Sequence, residues 1–552
     1  MRAVFSALAL SLLLEQTIAS PCSALPIIDL GYVRQQATSY NATTDVYTFS
    51  NIRYGQDTTG ELRFRAPREP LTDRETVQDG SGFRECPQGF PNWLLAGETT
   101  IGVFGSGKVP FNISAWENAF NETVPNINFN TQTSEDCLFL DVYVPGKVFK
   151  EKTSAKAPVL VYIHGGGLVL GSKQGTSGKS VPSGLLAASQ QEDGSGMIVV
   201  TLNYRLGAFG FLAGPEVEKD GVLNVGLLDQ RLALEWVQKH IGQFGGNAGH
   251  VTAIGESGGA ASILLHMAAN GGKAGSTPFQ QAILQSSAIA PILAEPPTAY
   301  PDFMASINAT SLDEARKVNQ SVLISANAQQ VANADFNTFV YNVVPDGSYV
   351  RNPLSAYTKF DPCVKVLVAH NSFEGGIFFD PSVKTEAQFG EWLSNSIAGL
   401  PSSTKEYLTN TLYPPIFDGS RGYNDYDTRQ MALWGEGFVD CNFLLAGSLN
   451  NSHTYAYEFS VTPGAHTQDL GYTFNDPTTP PASTSAQQTL QEAIVGFTMN
   501  GIPTYSVNGE KHPFPFFGKD GALVNISASA PTLSSSQVNE TRCHWWQSQR
   551  FV

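Results

Sequence analysis

Gly255-Glu256-Ser257-Gly258-Gly259 follows directly on the strand-like run Val251-Thr252-Ala253-Ile254 and opens the helical segment that runs on to Met267. A Gly-x-Ser-x-Gly run between a strand and a helix demands a sharp turn. Side chains at 255 and 259 would strike the adjoining helix and strand. Such a turn exposes the serine oxygen at the edge of a sheet, close to the positive end of the next helix, and makes Ser257 a candidate nucleophile. The plainer alternative is an ordinary N-cap. Strand, turn and helix all fall where the motif needs them, which favours the nucleophile.

A second segment supplies what an attacking serine requires. Pro158-Val159-Leu160-Val161-Tyr162-Ile163 is continuously apolar and rich in β-branched residues, the pattern of a strand covered on both faces, and it opens into His164-Gly165-Gly166-Gly167. Fixed N–H donors at the point where an ester oxygen becomes an anion are worth about 3–4 kcal/mol of barrier each. Gly166, Gly167 and Gly258 are the candidate donors; a flexible glycine loop is the alternative.

The wider pattern is α/β. Leu234, Trp236, Val237 and Ile241 share one helical face over Leu232 to His240, between a strand at Ile198–Leu202 and the serine strand, as a right-handed crossover requires. Ala282-Ile283-Leu284-Gln285 reads as the next strand. Two stretches, about 290–360 and 385–449, have a helical, Pro/Asn-punctuated pattern and are expected to cap the sheet and line a gorge.

Several blocks together resemble the type B carboxylesterases of the α/β-hydrolase fold, a group that also holds cholinesterases and some fungal lipases. Glu135-Asp136-Cys137-Leu138-Phe139-Leu140-Asp141-Val142-Tyr143 is similar to a second family signature, with Asp141 where Asn is usual. Asn203-Tyr204-Arg205-Leu206-Gly207, Gly226 to Arg231 and Phe244-Gly245-Gly246-Asn247 match in type and order, with Asn247 where Asp is common. The resemblance runs from about Gly31 to the C-terminus and is closest to the fungal branch. It implies a large, mostly parallel sheet flanked by helices, in one catalytic domain over residues 20–552.

It also implies the partners of Ser257. The run Cys363 to Ala369 reads as a buried strand ending in Asn371-Ser372-Phe373-Glu374-Gly375, similar to the family's acid loop, which makes Glu374 the carboxylate that orients a histidine. His466, in a loop after the strand Tyr455–Phe459, resembles the family's base; His453 precedes that strand and would sit at the other edge of the sheet. His164 is expected to shape the glycine loop, and His240, His250, His266, His370, His512 and His544 to be structural or solvent-facing. A histidine base titrating near its ordinary pKa of about 6.5 predicts activity lost on acidification. Glu256 is expected beside the histidine, either steadying water or positive charge or, the preferred reading, bonded to nearby backbone.

The N-terminus reads as an export signal: Arg2, an apolar run Val4 to Leu14, then small residues, with cleavage expected near Ala19. That run is too short to span a membrane, and no anchor is expected. Export makes the six cysteines disulfide candidates. The resemblance implies Cys86 with Cys137, closing a long loop able to lid the gorge. Pairing of Cys22, Cys363, Cys441 and Cys543 is open, Cys441 with Cys543 being preferred. Asn41, Asn112, Asn121, Asn308, Asn319, Asn450, Asn525 and Asn539 each begin an Asn-x-Ser/Thr sequon, consistent with a glycosylated extracellular protein.

A formal charge of −16 argues against nucleic acid and anionic membrane surfaces. No metal-spaced Cys/His cluster or cofactor motif is present, and neither is expected. Two other readings stay open: a lid-bearing triacylglycerol lipase, and a noncatalytic cholinesterase-like binding protein. A cholinesterase is disfavoured, because the segment before Glu135 has no choline-stacking tryptophan and Trp116 lies too far back.

Overall fold

Five apolar, β-branched runs meet side by side, because a strand buried on both faces can only be covered by further strands and flanking helices. In the computed structural model, residues 25–82, 84–120, 133–175, 181–289, 299–350, 359–397, 399–449, 454–474 and 482–548 are described. Residues 1–24, which hold the expected leader and Cys22, and Asn121, Asn450 and His453 lie outside them. Among the described residues, 11 strands form one sheet. From edge to edge it runs Thr532–Ser535, Ala522–Ile526, Thr454–Phe459, Lys365–Asn371, Gln281–Gln285, Gly246–Glu256, Ala157–Ile163, Ile198–Leu202, Phe139–Pro145, Val46–Arg53 and Ser39–Asn41.

The central seven strands, from Ala522–Ile526 to Ile198–Leu202, are mutually parallel, and the outer pairings are antiparallel. Val159 to Ile163 and Ile198 to Val200 are entirely buried. The parallel register aligns the carboxyl ends of the central strands: Gln285 lies opposite Glu256 on one side and Ala369 on the other, and Asn371 opposite Phe459. The fold is that of the α/β-hydrolases, and ligands in such sheets bind outside this edge.

The crossover helix spans Val225–His240 and so begins seven residues before the expected Leu232. Its first turns carry Asp229 and Gln230, which break the apolar periodicity but are fully buried. They are satisfied by distant groups. Arg205 holds Asp229 with two charge-assisted hydrogen bonds of 2.8 and 2.7 Å, and the Gln230 carbonyl oxygen lies 2.9 Å from His266. The strand expected from Cys363 is instead Lys365–Asn371, leaving Cys363 exposed before it.

Asp141, the departure from the family pattern, is explained by its partner. The Lys173 ammonium donates to both its oxygens at 2.8 and 2.7 Å in a buried pair, and the Asn51 N–H donates to it as well. Asparagine would remove the carboxylate that Lys173 bonds directly.

Disulfides join Cys86 to Cys137 and Cys441 to Cys543. Closing a loop of 51 residues removes unfolded-state entropy worth about 4 kcal/mol. Asn41, Asn112, Asn308, Asn319 and Asn539 are exposed, whereas Asn525 is half-buried in its strand with its amide donating to Glu458. No helix of the described residues is long and apolar enough to cross a membrane.

Candidate active site

Ser257 stands at the carboxyl end of its strand with φ 52° and ψ −122°, a strained conformation that the surroundings impose. Both flanking glycines are required by contact. A Cβ on Gly259 would lie 2.1 Å from the Ile163 carbonyl oxygen, and one on Gly255 would lie 2.6 Å from the Gly259 carbonyl carbon. The Ser257 side chain makes no capping bond to the helix Gly258–Gly272. Its hydroxyl faces His466 instead, with Oγ 2.9 Å from Nε2.

The other ring nitrogen of His466, Nδ1, lies 2.6 Å from Glu374 Oε2. With the proton assigned to Nδ1, the ring donates to the carboxylate and offers Nε2 to the serine. Glu374 is itself fixed by two donors on Oε1, the Asn371 N–H at 2.5 Å and the Ser286 hydroxyl at 2.7 Å. Its turn, Glu374–Ile377, joins the histidine loop through a Phe373 N–H donated to the Gly464 carbonyl at 2.8 Å. The structure therefore brings Ser257, His466 and Glu374 into one hydrogen-bonded line, with all three buried.

Electrostatics around the imidazole differ from the sequence expectation. Burial alone disfavours an imidazolium, but Glu374 and Glu256 outweigh it and push the group up to about 9. Glu256 Oε1 lies 3.5 Å from His466 Nε2, so this residue does sit beside the histidine. The preferred backbone-bonded reading of Glu256 is not met: neither carboxyl oxygen has a hydrogen-bond partner among the described residues. Burial, the largest influence on it, drives Glu256 well above the ordinary carboxylate range. Burial also raises Asp469, to about 6, and Glu98 lies within electrostatic reach of the ring.

The glycine loop closes the other side. Gly166 and Gly167 have φ of 101° and 58°, and a Cβ on Gly258 would stand 3.6 Å from the Gly167 amide nitrogen and 3.5 Å from that of Leu168. Backbone amides of the loop thus converge on the residue after Ser257. His164 is buried, stacks on Tyr204 at 4.4 Å and is held by burial at a pKa of about 4, a neutral ring under this loop. A cavity of about 820 Å³ opens on Ser257, with Leu168, Phe339, Phe378 and Trp434 among its walls.

The model of the carboxylesterase family matches residues 25–546. The chain belongs to the carboxylesterase family. It is 36% identical to a carboxylesterase, patB, of Aspergillus clavatus, over 98% of this chain and 99% of that one. A patB carboxylesterase of Penicillium expansum is 34% identical, with the same shares covered. The crystal structure of Aspergillus niger EstA superimposes with a TM-score of 0.76 at 25% identity, covering 95% of this chain and 98% of that one. This carboxylesterase is a carboxylic-ester hydrolase.

Reading the carboxylesterase's sequence missed Ser286 and Asn371, which hold Glu374, and Trp434, whose ring lies 5.9 Å from that of His466. Ser286 and Trp434 sit in no motif, and Asn371 was read only as the first residue of the acid loop, with no role of its own. The alternation of the strands Gln281–Gln285 and Lys365–Asn371 could have flagged the first two, since each lies at or just past a strand's carboxyl end. Trp116, set aside only as a choline-stacking residue, is buried against the acid turn.

Proposed function

We propose that Ser257, His466 and Glu374 carry ester hydrolysis in two acyl transfers. His466 accepts the proton of Ser257 while Oγ attacks the ester carbonyl, and the amides of Gly166, Gly167 and Gly258 bind the oxyanion. Collapse breaks the bond to the alcohol, which takes the proton from His466 and leaves an acyl-serine. Water, deprotonated by His466, repeats the attack and releases the acid. Glu374 keeps the imidazole in the tautomer that the first step needs.

The observation that carries this reading is the pair of contacts of 2.9 and 2.6 Å, from Ser257 to His466 to Glu374, beside the cavity. A fluorophosphonate probe tests it without knowledge of the substrate. Wild-type protein labels on Ser257, whereas Ser257→Ala neither labels nor hydrolyses a short p-nitrophenyl ester while keeping its fold. Turnover by Ser257→Ala at the wild-type rate would remove the assignment.

The leader and sequons support export and glycosylation, tested by the mass lost on endoglycosidase treatment of secreted protein. The substrates that fit an 820 Å³ cavity with aromatic walls are esters or lactones of small to middling size. A lipase is a second reading, drawn from 32% identity, over 68% of this chain, to a secreted triacylglycerol lipase of Gibberella zeae. Relative rates on short and long acyl esters separate the two.

A further inference from the structure

The Cys86–Cys137 loop is built against the turn that carries Glu374. Trp116, on the loop's helix Ile113–Phe120, is fully buried, and its indole N–H donates to the Gly376 carbonyl at 2.7 Å. Its ring packs on Phe104 and Phe111 of the same loop and on Phe373, the residue before Glu374, at centroid distances of 5.6, 5.8 and 5.7 Å. On another side the turn presses on the helix Tyr426–Gly435, where a Cβ on Gly375 would stand 1.8 Å from the Met431 carbonyl oxygen. The acid turn is therefore gripped by two elements; on the loop's side Trp116 supplies the hydrogen bond, while Phe111 also packs on Phe373 at 5.8 Å.

We propose that Trp116 is a positioning residue for Glu374, and that residues 86–120 of the loop are a fixed clamp on the acid turn rather than a lid that swings with substrate. This rests on Glu374 orienting His466. A carboxylate that must keep a 2.6 Å contact loses its effect when its turn shifts by an ångström. Swinging the loop open would draw the indole out of its aromatic cluster and leave the buried Gly376 carbonyl without its donor. Loop opening and an aligned Glu374 thus exclude each other. The cysteine pair ties down the ends of the same loop.

The test is Trp116→Phe, which keeps most of the packing and deletes the N–H. On a soluble p-nitrophenyl ester kcat falls about tenfold, as for loss of one well-made hydrogen bond, while KM changes less than twofold. The acid limb of kcat/KM moves to lower pH, because a slackened Glu374 holds the His466 proton less well among Glu256, Asp469 and Glu98. Adding Trp116→Phe to Glu374→Gln costs no more than Glu374→Gln alone, since both act through one carboxylate. Wild-type rate shows no jump as ester passes its solubility limit.

Wild-type kcat and an unmoved acid limb in Trp116→Phe would overturn the proposal. So would additive losses in the double variant, or a jump in rate at the solubility limit. Should Trp116→Phe melt far below wild type, Phe111→Leu loosens the same packing from a half-buried position and carries the same kcat and pH readouts. Full activity in Glu374→Gln would overturn both this proposal and the triad beneath it.

Discussion

Glu374→Gln changes one oxygen to an amide nitrogen in a site where every neighbour of the carboxylate donates to it. Oε1 accepts from the Asn371 N–H at 2.5 Å and the Ser286 hydroxyl at 2.7 Å, while Oε2 faces His466 Nδ1 at 2.6 Å. The Asn371 amide can only donate. The glutamine must therefore turn its carbonyl toward Asn371 and its NH₂ toward Nδ1. Nδ1 then becomes the acceptor, the ring proton moves to Nε2, and the base presents a proton to a serine hydroxyl 2.9 Å away instead of a lone pair. The negative charge that would stabilise an imidazolium is also gone. The precedent of an acid-to-amide change in a serine-protease triad is a loss of about 10⁴ in kcat, or about 5.4 kcal/mol at 1.36 kcal/mol per decade. Steady-state hydrolysis of p-nitrophenyl butyrate measures it, with a thermal melt to show that the fold survives. A kcat within tenfold of wild type, in folded protein, would refute the tautomer argument.

Three further outcomes are expected. Because the active form of His466 is the free base, kcat/KM rises with pH as one proton leaves, and a pKa raised toward about 9 puts the midpoint above the ordinary histidine value; a plateau already reached by pH 6 would contradict it. Gly259→Ala drives a methyl to 2.1 Å from the Ile163 carbonyl oxygen and destabilises by about 3 kcal/mol or fails to fold, whereas Gly242→Ala, with nothing within 4 Å, melts close to wild type. Lys173→Met strands the buried Asp141 carboxylate at a cost of about 3–5 kcal/mol, and adding Asp141→Asn recovers much of it, as chemical denaturation of the single and double variants would show.

What could be read from the order of residues was whatever depends on near neighbours. Gly255 to Gly259 must make a sharp turn because of contacts within a strand, a turn and a helix. Runs such as Val159 to Ile163 must be covered on both faces, and a sheet of parallel strands follows. The loops bearing Glu374 and His466 could be named because each follows an apolar strand and resembles a loop of the family. Contacts between residues far apart in the chain left no such trace. The start of the crossover helix was misplaced because Asp229 and Gln230 are polar, and their burial makes sense only beside Arg205 and His266. Asp141 looked like a minor departure until Lys173 was seen against it. Trp116 was weighed only as a choline-stacking residue, and its bond to Gly376, 260 residues away, left no mark in the sequence. Glu256 and the pKa of His466 are likewise products of enclosure. The low dielectric and the two neighbouring carboxyls that shift them exist only once the folded chain has excluded water from that point.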